Sequence, residues 1–331
     1  MPTSLRRVLV TGASGFLGGH VARTLAAQHI AVRAQGRDAA RLAFDARIDV
    51  CRCTLADERA LTAAASGCDA IVHSAALSSP WGRRQDFIDA NVTGTANVID
   101  AARNAGVRRL VHISSPAVIF DGRAQHALTD AAPEAARHIS EYGRTKAIAE
   151  QLVRAAGNDL EIVIVRPKAI YGEGDRALVP RLLRAARSGS LPQIGDGKNE
   201  VDITHVDDVV QAILCALTAE RAVGETFMIT GSEHVPLWPM IRTLLAGVGL
   251  PAPQRTIPLR VALLAAGAME AVAAITKREP TLTRYSALIL GLTQTYDITK
   301  ARTLLGYAPR VSSSAGLART IDALRRDMVI A

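Results

Sequence analysis

The sequence predicts an α/β fold, a doubly wound parallel sheet with a smaller, mainly helical C-terminal lobe. Three observations carry this expectation. Short β-branched apolar runs alternate with alanine-rich helical stretches through the first half of the 331 residues. Those runs are almost continuously apolar, as strands covered on both faces must be. Beyond Pro167 the rhythm changes to loop signals and then to helices separated by prolines.

In chain order, Val8-Leu9-Val10 reads as a strand, Phe16 to Gln28 as a helix and Ile30 to Ala34 as a second strand. Ile48 to Cys53 is a third strand, followed by a helix near Asp57 to Ala65. Ala70 to Ser74 is a fourth strand and Arg83 to Asn104 a long helix. Leu110 to Ser114, a helix over Glu141 to Ala156, and Glu161 to Val165 complete the alternation, which stops at Pro167. The segments Gly172-Glu173-Gly174-Asp175 and Ile194-Gly195-Asp196-Gly197 are loops. Val206 to Leu217 reads as a helix and Glu225 to Ile229 as a strand, and helices dominate from Pro236. The organisation expected is a dinucleotide-binding domain over residues 1–170 with returns near 201–232, and a substrate lobe from 171–200 and 233–331.

Composition narrows the function. The chain is 49% apolar and 21% charged, which excludes a disordered polymer and fits an enzyme-sized globular protein. Aromatics at 4% are too sparse for base-stacking platforms, so no nucleic-acid partner is expected. The net charge of +8 is spread over isolated pairs such as Arg83-Arg84 and Arg108-Arg109, which reads as solubility with some attraction for an anionic ligand. Cys51, Cys53, Cys68 and Cys215 form no disulfide framework and have no metal-ligand spacing. They read as free thiols of a reducing, cytoplasmic compartment. No metal and no signal peptide are expected. The most apolar stretch, Val261 to Ile275, is interrupted by Glu270 and falls short of a membrane span, leaving a buried or interfacial helix and peripheral membrane contact open.

The first strand runs directly into Thr11-Gly12-Ala13-Ser14-Gly15-Phe16-Leu17-Gly18, which opens the first helix. Gly12 permits a tight turn, Gly15 allows a pyrophosphate to approach the backbone, and Gly18 lets the helix pack on the sheet. The free amides at Ser14, Phe16 and Leu17 then hold an anion. At the end of the second strand an acidic residue would bind a ribose diol, but the position falls on Gln35, with Arg37 just beyond. A guanidinium there grips a 2′-phosphate, so NADP(H) is the preferred cofactor and NAD(H) the alternative.

Tyr142 and Lys146 stand four residues apart, on one face of a helix. A phenol near pKa 10 is a poor base, and a neighbouring ammonium would lower it. Tyr142 could then exchange a proton with a substrate oxygen, while Lys146 also holds the cofactor ribose. The fifth strand ends in Ser114-Ser115, at the edge where ligands bind in open parallel sheets. Ser115 is the candidate for polarising a substrate carbonyl and Ser114 the second choice. His112 reads as a packed histidine, and His205, Asp207 and Asp208 as caps of the helix they precede.

Together these motifs resemble the extended short-chain dehydrogenase/reductase superfamily, also called the NAD-dependent epimerase/dehydratase family, whose sheet is of the Rossmann type. The resemblance adds His73-Ser74-Ala75-Ala76, Asn91-Val92-Thr93-Gly94-Thr95, Arg166-Pro167-x-x-x-Tyr171-Gly172 and Val206-Asp207-Asp208-Val209, and spans nearly the whole chain. It implies that Ala75, Ala76, Ser114 and the backbone after Pro167, with Lys168, Ala169 and Ile170, line the cofactor, and that Asn91 supports it from the neighbouring helix. Physically, Asn91 is equally suited to bonding backbone. Where the family often carries Gly-Asp-Leu, this chain has Cys53-Thr54-Leu55, so Thr54 and Leu55 must meet the adenine differently. Dehydratases carry Asp-Glu after the catalytic hydroxyl, whereas Pro116-Ala117 stands here. Nucleotide-sugar epimerases carry an Arg where this chain has Val201, so a substrate diphosphate would lose its clamp.

The stretch Ser114 to Gly122 looks most like 3β-hydroxysteroid and sterol-carboxylate dehydrogenases, and Tyr142 to Glu150 like 2-alkyl-3-oxoalkanoate reductases. The resemblance implies an NADP(H)-dependent oxidoreductase interconverting a ketone and a secondary alcohol on a lipophilic molecule, working as a homodimer. The alternatives are a nucleotide-sugar epimerase with retained NAD and a non-catalytic dinucleotide sensor. The apolar segments Pro258 to Ile275 and Leu282 to Leu292 suit a greasy pocket, core packing or a dimer face. Trp81, Tyr171 and Arg176 are further candidates for the pocket wall.

Overall fold

Apolar runs long enough to cross a sheet became its strands. The computed structural model describes residues 5–330 apart from positions 39, 43, 45 and 46. Seven strands form one wholly parallel sheet: β1 (Arg7–Thr11), β2 (Ala31–Gly36), β3 (Ile48–Arg52), β4 (Ala70–His73), β5 (Arg109–Ile113), β6 (Glu161–Pro167) and β7 (Thr226–Ile229). Their spatial order is 3-2-1-4-5-6-7. The order reverses between β1 and β4, and the carboxyl ends on either side of such a switch point open a ligand crevice.

The period-2 alternation of each strand sorts its side chains into two cores. Val8, Val10, Val72, Val111, Val163 and Val165 face one side, under the helices Phe16–Ala27 and Val206–Thr218. Leu9, Ile71, Leu110, Ile162 and Ile164 face the other, under Glu58–Ala65, Gly94–Asn104 and Glu141–Ala155. Truncating any of the larger ones to Ala would cost about 2–5 kcal/mol, because such a site collapses only partly around the cavity.

The long helix expected over Arg83 to Asn104 is broken in hydrogen-bond pattern. Arg84–Phe87 passes into π-helical turns at Ile88–Thr93 before Gly94–Asn104 resumes the α pattern. The widened turns aim Asn91 at the chain beside the sheet.

The C-terminal part is mainly helical, with Leu178–Arg187, Leu237–Gly247, Leu259–Thr276, Arg284–Gly291 and Ser313–Ile330. Its core gathers Trp238, Leu183, Ile194, Ile241, Leu244 and Leu245. The sequence reading did not anticipate a small four-stranded sheet of His234–Pro236, Glu200–Asp202, Gln294–Tyr296 and Gln125–Leu128. Those strands are three or four residues long, too short for alternation to register. This sheet draws Gln125–Leu128 from before residue 170.

Candidate active site

A cleft of about 1650 Å³ runs over the carboxyl ends of the large sheet and under the C-terminal helices. Its floor begins at the phosphate loop. Gly12 has φ +70°, and a Cβ there would fall 2.7 Å from the backbone of Ala75, so only glycine lets the loop lie against the strand β4 exit. A Cβ on Gly18 would run into the Gly12 carbonyl oxygen, which fixes the helix hard against the loop. The helix then starts at Gly15 with no side-chain cap and no acid in its first turn. Its first amides and its positive dipole end therefore face the cleft, an arrangement that fits a pyrophosphate. Ser14, Gly15, Phe16, Leu17 and Gly18 all line the wall.

The end of the cleft where the sequence places an adenosine is lined by Gly36, Arg37, Arg41, Thr54, Leu55 and Ala56. Gln35 is buried, and its amide does structural work: Oε1 accepts from Gly12 N (3.2 Å) and Nε2 donates to Cys53 O (2.6 Å). Arg37 is exposed on the rim. Arg41, which the sequence reading missed, lies in the short turn Ala40–Leu42 and pairs with Asp38 at 2.9 Å. Nothing in its local sequence marks it; only the turn brings it to the cleft.

At the other end Ser114, Ser115, Tyr142, Pro167, Ala169 and Ile170 converge, joined by Ala75 and Ala76 from the strand β4 exit. Ser115 follows β5 and caps the turn Pro116–Val118, its Oγ accepting from Ala117 N at 3.2 Å. Ser140 caps the Glu141–Ala155 helix by accepting from Gly143 N at 3.1 Å. Gly143 packs on that same turn. A Cβ there would fall 2.8 Å from Ala117 O, so the missing side chain is what lets Tyr142 reach Ser115. Both hydroxyl-bearing side chains line this end of the cleft. Burial raises the Tyr142 phenol above its ordinary pKa, with the neighbouring Ser115 hydroxyl pulling the other way.

The expected lowering of that phenol by Lys146 is not what the structure holds. Lys146 shares the helix face but turns beneath the cleft wall, donating to Ile113 O (2.6 Å) and meeting His112 Nε2 (3.1 Å). Burial pushes its ammonium down to about 8, against the pull of Glu150. His112 is buried and held neutral, first by desolvation and then by the Lys146 charge, so it serves as the acceptor.

One turn further along the same helix, Glu150 carries a network not anticipated from the sequence. It accepts from Ser114 Oγ and from a two-pronged Arg166 fork (2.8 and 2.6 Å), with Arg154 at 3.2 Å. Burial works to raise its pKa, but the Arg166 bonds and charge outweigh it and hold the carboxyl below the usual range. Its spacing of four from Lys146 was the available signal.

Asn91 requires correction as a cofactor contact. Its side chain accepts from Leu77 N (2.7 Å) and donates to Leu77 O (3.2 Å) and Thr145 Oγ1 (3.0 Å), which uses up its amide away from the wall. Lys168 likewise turns away, to Gln294 and over the Tyr296 ring. Tyr171 is buried against His205, with its hydroxyl toward Ser313 O. Trp81 and Arg176 also stand off the wall. His205 does cap its helix, accepting from Asp207 N, but Asp208 instead accepts from the amides of Arg310 and Val311, and Asp207 pairs with Arg319. Val201 is buried in the C-terminal core.

Beyond Tyr142 the cleft widens between Leu178–Arg187 and Arg284–Gly291. Leu182, Leu191, Ile194, Leu282, Ile289 and Leu290 line it, with Arg181, Arg184 and Arg187 toward one side. Tyr285 projects in beside Tyr142, its ring edge-on to Phe120. Of the two apolar segments noted in the sequence, the second supplies wall residues and Leu259–Thr276 supplies none.

Known proteins of similar sequence and structure bear on the chemistry of this geometry. The profile of the NAD dependent epimerase/dehydratase family matches residues 8–230. The 2-alkyl-3-oxoalkanoate reductase of Stenotrophomonas maltophilia is 36% identical over 324 residues, covering 95% of this chain and 98% of that protein. Human sterol-4-alpha-carboxylate 3-dehydrogenase, decarboxylating, is 33% identical, covering 97% and 88%. Among solved structures, a double mutant of the dTDP-glucose 4,6-dehydratase DesIV from Streptomyces venezuelae, with NAD bound, superposes with a TM-score of 0.78 at 27% identity and covers 98% of each chain.

Proposed function

The chain belongs to the NAD dependent epimerase/dehydratase family, and on that footing we propose that it reduces a ketone on a lipophilic substrate to a secondary alcohol, with NADPH as the preferred donor. It is an NAD(P)-dependent oxidoreductase. The observation that carries the proposal is the placing of Ser115 and Tyr142 together in the wall of the same cleft whose far end is the uncapped helix start.

Ser14 to Gly18 would hold the pyrophosphate, and Pro167, Ala169 and Ile170 would line the nicotinamide end. When bound, the dinucleotide supplies the hydride. Every other step belongs to the protein. Ser115 donates toward the ketone oxygen, and Tyr142 gives it a proton as the carbon is reduced. A phenol held above its ordinary pKa is protonated at neutral pH, which suits the reductive direction. Lys146 holds the strand β5 exit by its bond to Ile113 O, directly before Ser114 and Ser115. The Glu150–Arg166 fork fixes Ser114 from below.

The preference for NADPH is supported by two guanidiniums, Arg37 and Arg41, at the adenosine end, and by the absence of a carboxylate at Gln35. The lipophilic substrate is supported by the apolar far wall and by the names of both relatives. A nucleotide-sugar epimerase is disfavoured because Val201, where a clamp would stand, is in the core. The four free thiols fit a cytoplasmic location. The test is to follow oxidation of NADPH by purified protein offered 3-oxo acyl compounds and oxosteroids. Stoichiometric oxidation by at least one supports the reading; retained, tightly bound NAD with nucleotide-sugar epimerisation and no net redox overturns it.

A further inference from the structure

The helix Leu259–Thr276 carries an apolar stripe on its exposed side. Ala262, Ala266 and Ala273 face inward, together with Glu270, at spacings of four, four and three. On that side the helix packs on Arg284–Gly291. Leu259 and Leu263 also pack inward, but four other large side chains face outward at spacings of three, eight and three: Val261 (49% exposed), Leu264 (77%), Val272 (59%) and Ile275 (82%). A helix that only covers a core places large apolar residues inward and polar ones outward.

The charges are arranged to match. Glu270, the one acid within the helix, is turned inward, where it accepts from Arg284 N (2.8 Å) and pairs with Arg284 Nε (2.7 Å). The outward face is therefore free of negative charge. Arg260 at its start and Lys277 and Arg278 just past its end are all exposed, so the apolar stripe is bracketed by cations. Glu279, next in the chain, is paired with Arg181 at 3.3 Å.

We infer that this helix lies flat on an anionic bilayer surface, with Val261, Leu264, Val272 and Ile275 in the acyl boundary and Arg260, Lys277 and Arg278 on lipid phosphates. An apolar stripe with flanking cations and low immersion depth is what an interfacial helix needs. The helix lies along the surface and does not cross it, because its inner face is committed to the Arg284–Gly291 helix and its Glu270 to Arg284. The chain that leaves it, Glu279 to Leu282, forms part of the cleft rim, and Arg284–Gly291 beneath it carries Tyr285, Ile289 and Leu290 into the cleft. A lipophilic substrate can thus pass from the bilayer to Tyr142 without crossing water. That last role rests on the ketone-reductase reading; the docking does not.

The test is co-sedimentation of the full chain with vesicles of phosphatidylcholine alone and with phosphatidylglycerol added, without substrate or cofactor, at low and high salt. The expected result is binding to the anionic vesicles that weakens with salt. Leu264→Glu with Ile275→Glu should lower it at least about tenfold, since both side chains would leave the acyl boundary. Lys277→Glu with Arg278→Glu should weaken it on anionic vesicles. Urea unfolding should leave Leu264→Glu/Ile275→Glu as stable as wild type, since both altered side chains are exposed. Wild type that stays in the supernatant overturns the proposal, as does an apolar-face variant that binds undiminished. A dimer that L264E/I275E converts to monomer, with no vesicle binding by wild type, would make the face a subunit interface and equally overturn it.

Discussion

Replacing Lys146 by Met should alter the pH dependence of stability by an amount that can be worked from the site. The ammonium is 1% exposed, and burial lowers its pKa from 10.5 to about 8. At about 1.4 kcal/mol per tenfold in proton affinity, holding it charged at pH 7 costs the fold about 3 kcal/mol. The folded value lies below the unfolded one. Between about pH 8 and 10.5 the unfolded chain therefore binds more protons, and stability rises with pH across that window. Met keeps the length and removes the charge, but leaves Ile113 O and His112 Nε2 without their donor, a loss of about 1–3 kcal/mol that does not vary with pH there. The two effects nearly cancel at pH 7, so the slope is the informative quantity. Urea unfolding of apoprotein at pH 7, 8, 9 and 10 should show wild type gaining about 2–3 kcal/mol relative to Lys146→Met over the range. A difference that stays flat would mean that Lys146 is solvated, and the description of its buried site would fail.

The remaining predictions concern separate parts of the site. Arg37→Ala with Arg41→Ala should raise KM for NADPH on the order of tenfold and leave KM for NADH nearly unchanged; equal loss with both would remove the case for a 2′-phosphate site. Gly143→Ala should push its helix off Ala117 O and lower kcat on the order of 100-fold with cofactor affinity retained, since misplacement by about 1 Å has that effect. Arg166→Met should destabilise by about 3–5 kcal/mol by stranding Glu150, as seen in denaturant melts at pH 7. Glu150 is held below its ordinary 4.5, so the stability it contributes is present above that pH and lost as pH falls through the lower folded value. In Arg166→Met this acid-induced loss should disappear.

The large sheet was legible because Val8 to Val10, Leu110-Val111 and Ile162 to Val165 are apolar on both faces, which only a strand covered on both sides tolerates. The phosphate loop was legible because its glycines sit where φ or a backbone approach excludes a Cβ. Helical spacing put Tyr142 and Lys146 on one face, but it could not say where Lys146 points. That is decided by Ile113 O and His112 on a strand more than thirty positions earlier. For the same reason the role of Gly143 was hidden, since it is defined by Ala117 O across the turn. Asn91 was open on physical grounds between ligand and structural group, and the π-helical turns decided for the latter. The apolarity of Leu259–Thr276 was plain, but which of its faces is covered depends on Arg284–Gly291, and Val261, Leu264, Val272 and Ile275 proved to be outside.

The central claim is that the Tyr142 phenol delivers the proton that completes ketone reduction. Tyr142→Phe, compared with wild type in single-turnover oxidation of NADPH by an accepted ketone, tests it most directly, with NADPH affinity measured separately by titration. The reading predicts a rate lower by about 100- to 10,000-fold, the span that a positioned general acid contributes, with NADPH binding unchanged. A variant that oxidises NADPH within a few-fold of wild type would contradict it.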